Sequence, residues 1–296
     1  MQVPACNIGV HQPDLAAFAR QTGLGEAQIH VRALADHAGV PAATVARRPG
    51  EPVVWRQDDG RLVYPASMIK VPLAVAAALA IADGRLRWNT PAVIDARNAT
   101  VNDAPSPMVP GYATTLEELV TCMLQRSDNV ATNQLYDLLG RDRASADLQG
   151  LGFPGTAFRR KLSGALPLID DPGATGRNTF PAAEAAELFA ALAEDRVPEA
   201  AALRRILATS WWDVKLSRGL EPGDAFAHKT GDTDDVSHDG GILTLANGSR
   251  WILVVYTELP SSEENDLRFG AFMRALRPHM RAALQGDADF QPANGA

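Results

Sequence analysis

Three short stretches of the chain carry side chains able to do covalent chemistry. Ser67-Met68-Ile69-Lys70 sets a hydroxyl and an amine three residues apart where an apolar run begins, a spacing that puts both on one face of a helix. Ser127-Asp128-Asn129 lies between two amphipathic stretches, and Lys229-Thr230-Gly231 lies in a run with strand character. A serine hydroxyl is a weak nucleophile until a base takes its proton. A lysine partly desolvated at the mouth of an apolar helix favours its neutral, basic form. The first stretch therefore pairs a nucleophile, Ser67, with a base, Lys70.

Serine and lysine at this spacing occur by chance about once in a chain of this length, so the pair alone decides little. Composition adds weight. Of 28 basic residues only four are lysines: Lys70, Lys161, Lys215 and Lys229. Arginine cannot give up its proton whereas lysine can, so the lysine beside Ser67 points to a chemical need for an amine. Thr230 offers a hydroxyl and Lys229 a positive charge, and with Ser127 they suit an anionic group such as a carboxylate. Gly231 would let a substrate lie close against the strand backbone.

The elements that must position these groups follow from periodicity. Residues 13 to 38, with Leu15, Phe18, Ala19, Ile29, Val31 and Leu34, read as one or two helices broken near Gly23-Leu24-Gly25. Ala43–Ala46 and Pro52–Trp55 read as a β-hairpin around Pro49-Gly50. Val71 to Ala82 is apolar all round, as a helix inside a core is, and Asp83-Gly84 stops it. Asn98 to Gly111 reads as a loop, Thr114–Glu118 as a helix start, and Val130 to Leu139 as a helix ended by Gly140, so Ser127 sits at a junction. Residues 140 to 181 read as a long ordered loop, and Pro181 opens a helix over Ala182 to Leu192. A further helix contains Leu203, Ile206 and Leu207. Ala225–Thr230, Gly241–Leu245 and Trp251–Thr257 read as strands, with a turn at Asn247-Gly248, before a last helix over Leu267 to Ala283.

Strands at both ends and helices between them predict an α/β fold of the α+β type. An antiparallel sheet is built from both chain ends with flanking helices, and an all-helical lobe is inserted. The division expected is 1–62 with 209–296 for the α/β lobe, and 63–208 for the helical lobe, including an Ω-type loop near 154–181.

The chain has 296 residues, 46% hydrophobic and 21% charged, enough for a large core. A net charge of −7 without a basic run argues against nucleic acid and anionic membrane as partners. The apolar run after Lys70 is too short to span a bilayer. Cys6 and Cys122 cannot form a disulfide framework, and Cys122 reads as a small core residue. Met1 to Val10 has neither a basic start nor an apolar run, so no secretory signal is expected there. The cytoplasm and export with a removed leader both stay open. G-x-S-x-G and H-E-x-x-H are absent, so His228 and His238 read as packing or hydrogen-bonding residues and no metal is expected.

S-x-x-K, S-D-N and K-T-G in this order form the motif set of class A β-lactamases and penicillin-binding proteins, and the chain resembles that family over nearly its whole length. The resemblance implies an acyl-transfer enzyme without a cofactor, acting as a monomer on a small-molecule acyl donor, either a β-lactam or a peptide-like amide or ester. It implies Ser67 as the acylated nucleophile, Lys70 as its proton partner and Ser127 as the relay to the leaving amine. Lys229 and Thr230 would grip a carboxylate, and Asn129 would contact the acylamide side chain. The backbone N–H groups of Ser67 and Asp232, beside Gly231, would form the oxyanion hole. Periplasmic or secreted proteins are the habit of this family.

The chain departs from the family at one functional residue. The glutamate that activates the deacylating water should fall in a run beginning near Ser163, yet no Asp or Glu occurs from Leu148 through Ile169. Asp170 and Asp171 are the nearest carboxylates. Without that base the acyl-enzyme is expected to hydrolyse slowly, which looks more like a penicillin-binding peptidase, an esterase-like relative or a sensor acylated once. Asp232, Asp234 and Asp235 put negative charge where a carboxylate substrate would lie, and the following strand contains no arginine. Lys215 or Arg218 could substitute, though both read as solvated surface charges.

Overall fold

The computed structural model describes residues 13–34 and 53–285, with side chains to 283. α1, Leu15–Gln21, is capped by Asp14, whose carboxylate accepts from the Ala17 N–H at 2.8 Å. Gly23 and Gly25, both at positive φ, then turn the chain, and the expected second helix is a strand instead: β1, Gln28–Ala33. Ile29 and Val31 alternate along it, and both are β-branched and fully buried. The few apolar residues spaced for a helix across 13–38 belong to two elements. β2, Val54–Gln57, pairs with β1. The expected strand at Ala43–Ala46 lies outside the described residues.

β5, Ala225–Asp232, β6, Ser237–Thr244, and β7, Arg250–Thr257, complete an antiparallel sheet of order β2-β1-β7-β6-β5. Both chain ends thus contribute, as the sequence predicts. One face packs Trp55, Trp251, Leu253 and Val255 against Phe269, Phe272, Met273 and Leu276 of α8, Glu263–Gln285. Ile242, Ile252, Val254 and Tyr256 join the core of the helical part on the other face.

That helical part is centred on α2, Lys70–Ala82, buried at every position from Lys70 through Ala78. Around it lie α3, Leu116–Gln125, α4, Asn129–Leu139, α5, Arg141–Gly150, α6, Ala182–Ala193, and α7, Ala200–Leu207. A small ribbon of β3, Pro91–Val93, and β4, Ala113–Thr115, accompanies them. α5 replaces about the first quarter of the expected loop. Its only buried residues are Ala144 and Leu148, one turn apart, too few apolar anchors to announce a helix. The remainder, 151–181, is irregular but tied down: Ala157 bridges Thr179, and Glu184 of α6 accepts from the Gly155 N–H and the Thr156 hydroxyl. Among the described residues no helix is long and apolar enough to cross a membrane.

Candidate active site

Ser67 lies not in α2 but in a 3-10 turn, Ala66–Ile69, that feeds Lys70 into the helix. Residues three apart eclipse in such a turn, which brings Lys70 Nζ to 2.9 Å from Ser67 Oγ. Ala66, at φ 46°, and Ser127, at φ 60°, are non-glycine residues in the left-handed region. Strain of this kind costs about 1–3 kcal/mol per residue and persists where surrounding packing over-determines it.

Ser127 sits in the α3–α4 junction, where Asp128 caps α4 by accepting from the Ala131 N–H at 2.8 Å. Lys70 Nζ lies 2.6 Å from Ser127 O, 2.8 Å from Asn129 Oδ1 and 3.0 Å from Ser127 Oγ. Burial, with the charge of Lys229 added, pushes the Lys70 amine well below the ordinary lysine value. A neutral amine has two N–H groups and one lone pair. Its N–H groups suit the two atoms that can only accept, Ser127 O and Asn129 Oδ1, and the lone pair is left for a serine hydroxyl. Lys229 Nζ donates to Ser127 Oγ at 2.9 Å and to Thr230 O at 2.9 Å. Burial lowers its amine to about 7, against the raising effect of Asp232. The Ser127 hydroxyl thus bridges two buried lysines, and a proton can pass from Ser67 Oγ to Lys70 and onward through Ser127.

Gly231 meets a need different from the expected one. A Cβ there would stand 2.9 Å from Pro65 O and 3.1 Å from Ser67 N, so glycine lets β5 press against the turn that carries Ser67. His238 fastens the same turn: its Nε2–H donates to Tyr64 O at 2.8 Å while its Nδ1 accepts from the Thr257 N–H at 3.1 Å. Burial pushes this imidazole down to about 4, so it is neutral.

Asn129 is more fully engaged than expected. Its Oδ1 faces Lys70, its Nδ2 donates to Val101 O at 3.0 Å, and its backbone N–H donates to Asn102 Oδ1 at 2.6 Å. Lys215 is a correction. It is 1% exposed, and its Nζ donates to Asp232 Oδ1 at 2.6 Å and His238 O at 3.0 Å. Arg218, by contrast, is exposed.

Neither expected substitute for the glutamate is brought to the cleft. Asp171 is clamped by both Nη atoms of Arg141, at 2.6 and 2.9 Å, and accepts from the Lys161 N–H; Asp170 is exposed. Asn133, which sequence reasoning missed, lies one turn after Asn129 on the same face of α4. Its Oδ1 accepts from the Leu162 N–H at 2.7 Å and its Nδ2 donates to Leu162 O at 2.9 Å. Four helical residues rise about 6 Å, so Leu162, 6% exposed, is held about that far along α4 from the Asn129–Lys70 contact. Ser163 instead turns its hydroxyl to the Ile169 N–H at 2.9 Å. The loop residue gripped by Asn133, one turn along α4 from the residue that contacts Lys70, is Leu162, one earlier than expected, and it is apolar.

His228 is hydrogen-bonded to Asp239 at 2.7 Å and Asp213 at 3.0 Å. Burial opposes its charge, but the two carboxylates outweigh burial and raise the imidazole to about 9. A folded value above the unfolded one of about 6.5 gives stability that is full below pH 6.5 and lost as pH rises through 9, on the order of 3 kcal/mol. The melting temperature is therefore expected to fall between pH 7 and 10, and to fall less in His228→Gln; equal slopes in both proteins would remove His228 as the cause.

The chain matches a family described as the beta-lactamase enzyme family over residues 26–276. No curated protein matches it in sequence. Among solved structures, a beta-lactamase from Sphaerobacter thermophilus is 25% identical, covering 90% of this chain and 96% of its own, with a TM-score of 0.71. PBP-A is 22% identical over 95% of this chain and 97% of its own, with a TM-score of 0.71. A leucine-to-glutamate mutant of PBP-A has been solved as its acyl-enzyme complex with penicillin G. An ancestral class A beta-lactamase is 22% identical over 89% of this chain and 97% of its own, with a TM-score of 0.70.

Proposed function

The chain belongs to the beta-lactamase enzyme family, and from that membership we propose that it is a serine hydrolase that acylates Ser67 with a β-lactam or a related amide or ester and releases the acyl group slowly. The supporting observation is the buried Lys70 amine, 2.9 Å from Ser67 Oγ and shifted toward its neutral form. Ser67 Oγ attacks the carbonyl carbon and its proton moves to Lys70 Nζ. The tetrahedral adduct collapses by breaking the bond to the leaving nitrogen or oxygen, which takes its proton from the Ser127 hydroxyl, itself resupplied from Lys70. Lys229 holds Ser127 in line, and Thr230 offers its hydroxyl at the same edge. The N–H groups of Ser67 and Asp232 face the developing oxyanion, a role favoured by the tight contact of Gly231 with that turn.

In this reading slow release follows from an apolar residue, Leu162, gripped by Asn133 one turn from the Asn129–Lys70 contact, standing where a carboxylate would activate water. A peptidase or esterase on the same fold, and a protein acylated once as a sensor, differ from this reading only in how the adduct ends. PBP-A, whose mutant was trapped with penicillin G, gives such adducts a precedent among similar folds.

Intact-mass spectra over time, after mixing with benzylpenicillin, its methyl ester and an uncharged 4-nitrophenyl ester, test the reading. At least one donor is expected to leave one acyl group per chain for minutes or longer. Rapid turnover with no accumulated adduct would remove the slow step, and neither adduct nor turnover with any donor would remove the reading.

A further inference from the structure

We propose that Asp232 determines donor specificity: its carboxylate occupies Lys215, so that acyl donors lacking a carboxylate react in preference to those bearing one. The inference rests on the acyl-transfer reading above. Thr230 and Asp232 are two apart on β5 and so point to the same face of the sheet's edge strand, along the border where the donor must lie. An ammonium has three N–H groups. Those of Lys215 are spent on Asp232 Oδ1 at 2.6 Å, on His238 O at 3.0 Å and toward Gly231 O at 3.5 Å. The Ser237 hydroxyl donates to the same Asp232 oxygen at 3.1 Å, which fixes the carboxylate in place.

The lysine is 1% exposed while the Asp232 side chain is 32% exposed, so what reaches solvent from this pair is the anion and not the cation. Lys229 is fully buried, with its amine on Ser127 Oγ and Thr230 O. Asp234 and Asp235 follow on the exposed turn after β5. A donor's carboxylate beside Thr230 would therefore meet a fixed like charge seated on Lys215, a repulsive element of the kind that sets specificity by rejection. An ester or amide at that position meets no such charge.

The test compares second-order acylation rates of benzylpenicillin and its methyl ester, read by intact mass, in the unmodified protein, Asp232→Ser and Asp232→Asn. Asparagine keeps an oxygen acceptor for Lys215 and guards against a folding defect. The acid-to-ester rate ratio is expected to rise at least tenfold in either variant, and adding Lys215→Met to Asp232→Ser is expected to reverse the gain. A ratio that stays constant, or an unmodified protein that prefers the acid tenfold, overturns the inference and leaves the acyl-transfer reading standing. If no donor labels the protein at all, that reading fails and the inference fails with it.

Discussion

Ser67→Ala is expected to abolish covalent labelling by every donor, and Lys70→Met to slow it by about 10²–10⁴-fold, the range a positioned general base supplies. The two variants cut the same 2.9 Å contact from opposite ends. Without the hydroxyl no ester can form; without the amine the hydroxyl persists, but its proton has no nearby acceptor of matched basicity. Methionine keeps much of the buried stem's volume, yet leaves Ser127 O and Asn129 Oδ1 without their donor, at about 1–3 kcal/mol each. The melting temperature of Lys70→Met should fall for that reason, so rates are compared at a temperature where both proteins are folded. Labelling that survives Ser67→Ala would mean that the nucleophile is another residue. Labelling at an undiminished rate in Lys70→Met would take the proton from some other base.

Leu162→Glu is expected to shorten the adduct's lifetime by about 10²-fold or more, the contribution of a general base brought to the deacylating water. The position follows from α4: Asn129 touches Lys70, and Asn133, one turn on, grips both the N–H and the carbonyl of Leu162. A glutamate there begins from a backbone already locked by Asn133. Its burial raises the carboxyl toward its neutral form, so the gain should grow with pH as the carboxylate forms. Ser163→Glu serves as the control. The Ser163 side chain is directed across its own loop to Ile169, so the same charge one residue later should leave the lifetime nearly unchanged. An adduct equally persistent in Leu162→Glu would show that slow release has a cause other than the missing base.

Ser67, Lys70 and Ser127, proposed to act in the chemistry, are legible in the sequence because each stands at an element boundary, and Lys229 because its motif is local. Ser67 precedes a run too apolar to be anything but buried, and Ser127 falls where one amphipathic pattern stops and another starts. Elements whose signal is weak or split are not legible. α5 offers only Ala144 and Leu148 as apolar anchors, and β1 places Ile29 and Val31 where a helical pattern could also claim them.

Lys215 carries a different lesson. The scarcity of lysine that singles out Lys70 applies equally to Lys229 and Lys215, and all three are buried. The polar neighbours Asp213, Ser217 and Arg218 make the local segment look like surface, and only the fold sets Lys215 behind Asp232. Asn133 was hidden for a similar reason. Its partner Leu162 lies across an irregular loop whose path no periodicity reveals.

The central claim is that an amine-activated serine forms its ester readily inside the cleft and gives it up slowly. Stopped-flow release of 4-nitrophenolate from an uncharged ester tests this most directly. A burst of one equivalent per chain, followed by a steady rate at least about 10²-fold slower, is the predicted record. Linear release from the first turnover, or a burst of equal size in Ser67→Ala, would contradict it.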